Sequence, residues 1–360
     1  MAIDLGYRVH ALFRKLKSLK AFLEALPPEY HEHMKYTLVP TLVAEFDPDP
    51  LLADADYVIH MSTPPPWTPD HVCYSDTTIG KKQNMLKQLQ PQINYQWQFV
   101  HPVSVTTYLL LSAAGTCPSM KRVVLTSSIT PFFDLKELDG NQAVVRSIED
   151  EDQEFPGPLG SELGHKLGAY AAGKAESLRL SRTFVENHPN LHFDIVSLMP
   201  SNVFGPNRMC KSREEFNRGS NAILLNHLLG VSKERLFSGS VHIDDVARCH
   251  VEALLPCIPP GRYILNSGYT HWPNAIGFVE KYHPDMVGPV FAKDPPTEIT
   301  HCVIKKPKTR RAFALGFKQF EEQVKDTVDF YLSLPPGNES KSNGQAGVET
   351  AETKTSSALL

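Results

Sequence analysis

Compact apolar runs alternate along this chain with longer segments of helical period. Residues 56–60, 122–128 and 193–199 are short runs rich in Val, Ile and Leu that close on small or turn-forming residues, as buried strands feeding loops do. Residues 7–12 read as another strand. Helical patterns lie between them: 103–114 precedes the second run, and 167–187 precedes the third, where Leu178, Leu180, Phe184 and Val185 supply an apolar stripe. This order predicts βαβ units and a doubly wound α/β fold built on a parallel sheet. Loops at the carboxyl ends of the strands should then carry the site.

Three stretches break the rhythm. Residues 68–98 are polar, Gln-rich and too long for an ordinary α/β connection, so they read as an insertion. Residues 206–227 and the Pro-rich 287–307 suit a smaller region packed over the carboxyl edge of the sheet, where a substrate would enter. The tail, 335–360, is rich in Ser, Thr, Gly, Glu and Lys and reads as disordered, because it has too little apolar surface to offset its ordering entropy. The expected division is a nucleotide-binding domain over 1–205, a substrate-binding region with a returning sheet segment over 206–334, and that tail.

Charge removes several classes of function. Against 40 Asp+Glu the 360 residues carry 36 Lys+Arg, a formal net charge of −4, which gives no footprint for nucleic acid or an anionic membrane. No apolar run approaches the roughly 18 residues of a membrane span, and the first residues lack the layout of a signal peptide, so a cytoplasmic setting is expected. The 6 cysteines include no C-x-x-C pair, and His31-Glu-His33 lacks further ligands at metal-binding spacing. Neither disulfides nor a metal is expected.

Tyr170-Ala-Ala-Gly-Lys174 places a phenol and an ammonium at i and i+4, on one face of a predicted helix. A neighbouring cation favours phenolate and would lower the phenol's pKa, making tyrosine a usable acid or base. Ser127 and Ser128 close the second strong strand, where a hydroxyl can hydrogen-bond a carbonyl oxygen that gains negative charge. Ser, Tyr and Lys together point to carbonyl–alcohol redox chemistry.

The order of these motifs carries a resemblance. With 6–14, 56–64, 121–128, 170–174, Asn202-Val-Phe-Gly-Pro206 and Val241-His-Ile-Asp-Asp-Val-Ala-Arg248, the chain resembles the extended short-chain dehydrogenases/reductases of the NAD(P)-dependent epimerase/dehydratase superfamily, and among them the dihydroflavonol-reductase-like carbonyl reductases. The resemblance covers residues 3 to about 334 and implies a Rossmann-like fold. It implies that Tyr170 exchanges a proton with the substrate oxygen, that Lys174 lowers its pKa and binds the nicotinamide ribose, and that Ser128, or else Ser127, orients the carbonyl. Hydride would come from the nicotinamide. Arg14, Lys15 and Lys17 cluster after the strand that precedes the cofactor's ribose, which favours the 2′-phosphate of NADP, with NAD possible. Thr41 and Leu42 align beside adenine, Ser62 begins a turn past the cofactor, and Pro200 and Val203 wall the nicotinamide. Thr130, Asn217, Ser220 and Asn221 fall where substrate contacts are expected. The implied partner is a small carbonyl or alcohol, and the implied assembly a monomer or homodimer.

The chain departs from the family at its start, where the first strand and its Gly-x-x-Gly-x-x-Gly turn are not matched, so an N-terminally incomplete fold is expected. Gly157-Pro-Leu-Gly160-Ser-Glu-Leu-Gly164 follows an acidic run and not a strand, and reads as a surface loop. Asp244-Asp245 reads as the capped start of a structural helix. A nucleotide-sugar epimerase or dehydratase and a non-catalytic binding protein stand as alternatives.

Overall fold

A computed structural model describes residues 1–39, 47–61, 96–138, 142–155, 166–232, 235–313 and 316–336. The expected insertion over 68–98 lies almost wholly outside these residues, as do Thr41, Leu42, Ser62, the 157–164 glycines and all but the first two residues of the tail.

Four parallel strands form the largest sheet: Tyr57–His60 (β3), Arg122–Thr126 (β4), Asp194–Pro200 (β5) and Gly261–Leu265 (β7), hydrogen-bonded in the order β3-β4-β5-β7. Val9–Phe13 (β1) and Met34–Leu38 (β2) pair in parallel as a separate two-stranded unit around the helix Leu16–Ala25 (α1). Each predicted strand is found within two residues of its expected ends; β4 and β5 are buried along most of their length, whereas β1 and β3 are partly exposed. In β4, Val123 and Leu125 face one core with Leu110, Leu111 and Ala114 of the helix His101–Thr116 (α2). Val124 faces a second core with Val246 and Cys249 of Ile243–Glu252. A strand covered on both faces by helices has the uninterrupted apolar character seen in the sequence. Arg122 opens β4 beside its register neighbour Asp194 at 2.7 Å, and donates to the carbonyls of Ala253 and Leu255 at 2.8 and 2.7 Å.

The helix Lys166–Asn187 (α3) packs beside α2 through small residues, including Gly168, Ala169, Ala171, Ala172 and Gly173. At Gly173 a Cβ would lie 3.1 Å from the carbonyl oxygen of Phe99. That close approach seats α3 against the turn leading into α2. A third core gathers Phe216, Leu224, Leu225, Leu228, Trp272, Val279, Phe291, Val324 and Val328, all from the later part of the chain. There Asn202–Phe204 (β6), Gly239–His242 and Gly268–Tyr269 make a small mixed sheet.

Candidate functional site

The carboxyl end of β4 and the first turns of α3 meet at one place. Lys174 is only 3% exposed, and its Nζ donates to the carbonyl of Thr126, the last residue of β4, at 2.7 Å. The same Nζ lies 5.8 Å from the centroid of the Tyr170 ring. Ser128, two residues past the strand, hydrogen-bonds the Tyr170 phenol. The structure thus brings Ser128, Tyr170 and Lys174 together.

Electrostatics differ from the sequence expectation on one point. Lys174 was expected to pull the Tyr170 phenol down; instead burial drives that phenol up to about 12, opposed by the Ser128 hydrogen bond. Burial moves Lys174 itself down to about 7. Desolvation penalises the charged form of either group, and it is the largest influence on both.

Behind the lysine is a layer that sequence reasoning missed. Thr126 Oγ1 lies 2.6 Å from His250 Nε2, and His250 Nδ1 lies 2.7 Å from the carbonyl of Val246. A carbonyl only accepts, so Nδ1 carries the proton and Nε2 receives the Thr126 hydroxyl. Burial lowers the pKa of His250 below the ordinary imidazole value. His60, at the end of β3, has a buried Nε2 with no hydrogen-bond partner among the described residues, and its pKa falls to about 4 through burial and the nearby Lys174 charge. The hydroxyl-rich run Thr126-Ser-Ser-Ile-Thr130 was the available signal for part of this layer; nothing local marked either histidine.

Other expected residues fare unevenly. Val203 packs against the second core from β6, and Pro200 ends β5. Asn221 was expected at substrate, but Asn221 Nδ2 donates to the Gly205 carbonyl at 2.8 Å while Oδ1 accepts from the Gly205 amide at 3.1 Å, so the side chain clamps a turn. Gly205 has φ +134, and a Cβ there would lie 2.5 Å from Ile243, which explains why the turn needs glycine. Asn217 Nδ2 donates to Asn226, while its Oδ1 is buried without a partner among the described residues; Ser220 lies in the helix Gly219–Leu228. Lys17 is well exposed, with Glu215 3.9 Å away, and Arg14 begins the turn between β1 and α1. His242, and not Asp244, caps its helix, accepting the Asp244 amide at 3.0 Å.

No family model matches the chain. A ketoreductase of Cercospora nicotianae is 28% identical over 352 residues, covering 93% of this chain and 90% of its own. An NAD-dependent epimerase/dehydratase of Alternaria alternata is 28% identical over 262 residues, 70% of this chain and 67% of that one. Yeast methylglyoxal/isovaleraldehyde reductase, solved in complex with NADPH, superposes with a TM-score of 0.71 at 20% identity, over 92% of this chain and 94% of that one. The chain is thus similar to a ketoreductase over nearly its whole length, and to an epimerase/dehydratase over about two thirds of it. Its parallel sheet with flanking helices is the Rossmann-like fold of that yeast reductase. Among the described residues the nicotinamide end of an extended reductase's cofactor finds fitting groups: a buried lysine of lowered pKa, and the Ser127 hydroxyl, buried without a hydrogen-bond partner. No glycine-rich strand-to-helix turn occurs among them. Among the described residues no helix is long and apolar enough to cross a membrane.

Proposed function

We propose that this protein is an NADPH-dependent reductase of a small to medium ketone or aldehyde, of the dihydroflavonol-reductase-like kind. The observation that carries the reading is the convergence of Ser128, Tyr170 and buried Lys174 at the carboxyl end of β4. NADPH, when bound, supplies hydride to the carbonyl carbon. Ser128 hydrogen-bonds the carbonyl oxygen as charge grows there, and Tyr170 gives that oxygen its proton. Lys174, held by the Thr126 carbonyl, binds the nicotinamide ribose and places a cation beside the resulting phenolate. Pro200 and Val203 wall the nicotinamide, and Arg14 and Lys17 face its 2′-phosphate.

We place the substrate under the region over 206–334, with Asn217 and Ser220 as contacts, and the nucleotide in 1–205. The reading carries a cytosolic setting and a monomeric or homodimeric state; the described cysteines Cys117, Cys210, Cys249, Cys257 and Cys302 are all free, as a reducing compartment would keep them. A nucleotide-sugar epimerase is less favoured. Such an enzyme needs arginines for a diphosphate, yet Arg213 is spent on the Tyr331, Leu332 and Leu334 carbonyls, and Arg218 lies against Glu214.

The test follows NADPH oxidation with a panel of aryl ketones, aliphatic aldehydes and 1,2-dicarbonyls, beside NADPH binding by fluorescence. Tyr170→Phe should lose at least about 100-fold in turnover while retaining NADPH affinity, since only the proton donor is removed. Equal turnover by wild type and variant, or no cofactor binding by either, would overturn the reading.

A further inference from the structure

Ser128 is held by a neighbour that the reaction does not otherwise use. Thr130 begins a short turn of 3-10 helix over Thr130–Phe132. Its backbone amide donates to Ser128 Oγ at 3.2 Å, and its hydroxyl donates to the same oxygen at 3.1 Å. A serine hydroxyl has one proton and two lone pairs. With both lone pairs occupied by Thr130, the Ser128 proton is the hydrogen-bonding capacity left to it, and the neighbour whose pKa Ser128 lowers is the Tyr170 phenol. By contrast, the hydroxyl of Ser127 is equally buried and has no partner among the described residues, so nothing orients it.

We infer that Thr130 is a positioning residue: its hydroxyl and amide together fix the Ser128 hydroxyl as a donor, aimed at the Tyr170 phenol and at the substrate's carbonyl oxygen. The inference rests on the carbonyl-reductase reading and replaces the expectation that Thr130 itself contacts substrate. A serine free to rotate could spend its proton on any nearby acceptor. Ser128 so fixed meets a developing oxyanion without reorganising, which is the condition for its hydrogen bond to count in the transition state. Thr130 needs no contact with the substrate to do this.

The test uses the full chain with Thr130→Val, Thr130→Ser and Ser128→Ala, plus Thr130→Ala should valine not be accommodated. Tyrosine labelled with 13C at Cζ reads the phenol's hydrogen bonding directly, the Tyr170 resonance being assigned by its loss in Tyr170→Phe. That resonance should move in Thr130→Val in the same direction as in Ser128→Ala, and return in Thr130→Ser. In steady-state reduction, Thr130→Val should lose about fivefold in kcat with KM unchanged, and Thr130→Ser should recover it. A Tyr170 resonance unmoved by Thr130→Val would overturn the inference. So would a loss carried by KM, which marks direct substrate contact, or a serine variant no better than valine. If no carbonyl is turned over, the reductase reading falls, and the resonance still decides whether Thr130 orients Ser128.

Discussion

Replacing Lys174 by methionine should make the resting protein more stable while abolishing its activity. The side chain is 3% exposed and its pKa lies at about 7 against an ordinary 10.5. That separation corresponds to about 5 kcal/mol of penalty on the buried ammonium. Methionine keeps the length and removes the charge, but leaves the Thr126 carbonyl without its 2.7 Å donor, a loss of about 1–3 kcal/mol. The balance at pH 6 is a gain of about 2–4 kcal/mol, or about 3–5 °C in Tm for a chain of this size. The sign reverses with pH in a defined way. Below pH 7 both folded and unfolded states carry the charge, and the folded state bears the whole penalty. Between 7 and 10.5 the folded state has released its proton and the unfolded state has not, so wild-type stability rises with pH relative to the variant. Thermal unfolding of the cofactor-free protein at pH 6 and pH 10 measures this directly. A variant less stable than wild type at pH 6, or a difference independent of pH, would refute the claim that this lysine is held in its site against desolvation.

Two further outcomes follow from single sites. His60 has a folded pKa of about 4 against 6.5 when unfolded, so the unfolded state binds more protons in that window; stability is full above pH 6.5 and should fall by about 3 kcal/mol as pH drops to 4, a loss that urea unfolding should find absent in His60→Leu. Asn221→Ala should cost about 1–2 kcal/mol through the two lost bonds to Gly205, with KM for the carbonyl substrate unchanged; a raised KM without loss of stability would return Asn221 to the substrate site.

The sheet was legible because burial and backbone regularity coincide in it. Both faces of β4 are covered, so its run of Arg-Val-Val-Leu-Thr advertises a strand without any alternation to decode. The Tyr170–Lys174 spacing was legible for a similar reason, since a helix turns i and i+4 into neighbours wherever it sits. What could not be read is everything set by distant chain segments. Asn221 looks like a substrate contact in isolation, and only the return of Gly205 to its side shows where its amide goes. His250, 124 positions from Thr126, reaches it only because its helix lies along the second face of the sheet. The direction of the Tyr170 shift escaped for the same cause: spacing shows that a cation is near, but desolvation depends on the packing of α2, α3 and β4 around both groups.

That upward shift favours one direction of reaction. A phenol with a pKa of about 12 keeps its proton at neutral pH, as a donor must. An alkoxide formed by hydride addition to a carbonyl is more basic than phenolate, so the proton transfer from Tyr170 runs downhill despite the raised pKa. Oxidation of an alcohol would need phenolate first, and forming it at pH 7 costs about 7 kcal/mol from this starting point. The Ser128 hydrogen bond already works against that cost, and the cation on the same helix face, Lys174, is itself at the edge of losing its charge. The resting site therefore holds its proton on the tyrosine and keeps its cation in reserve, an arrangement that serves reduction of a carbonyl before it serves the reverse.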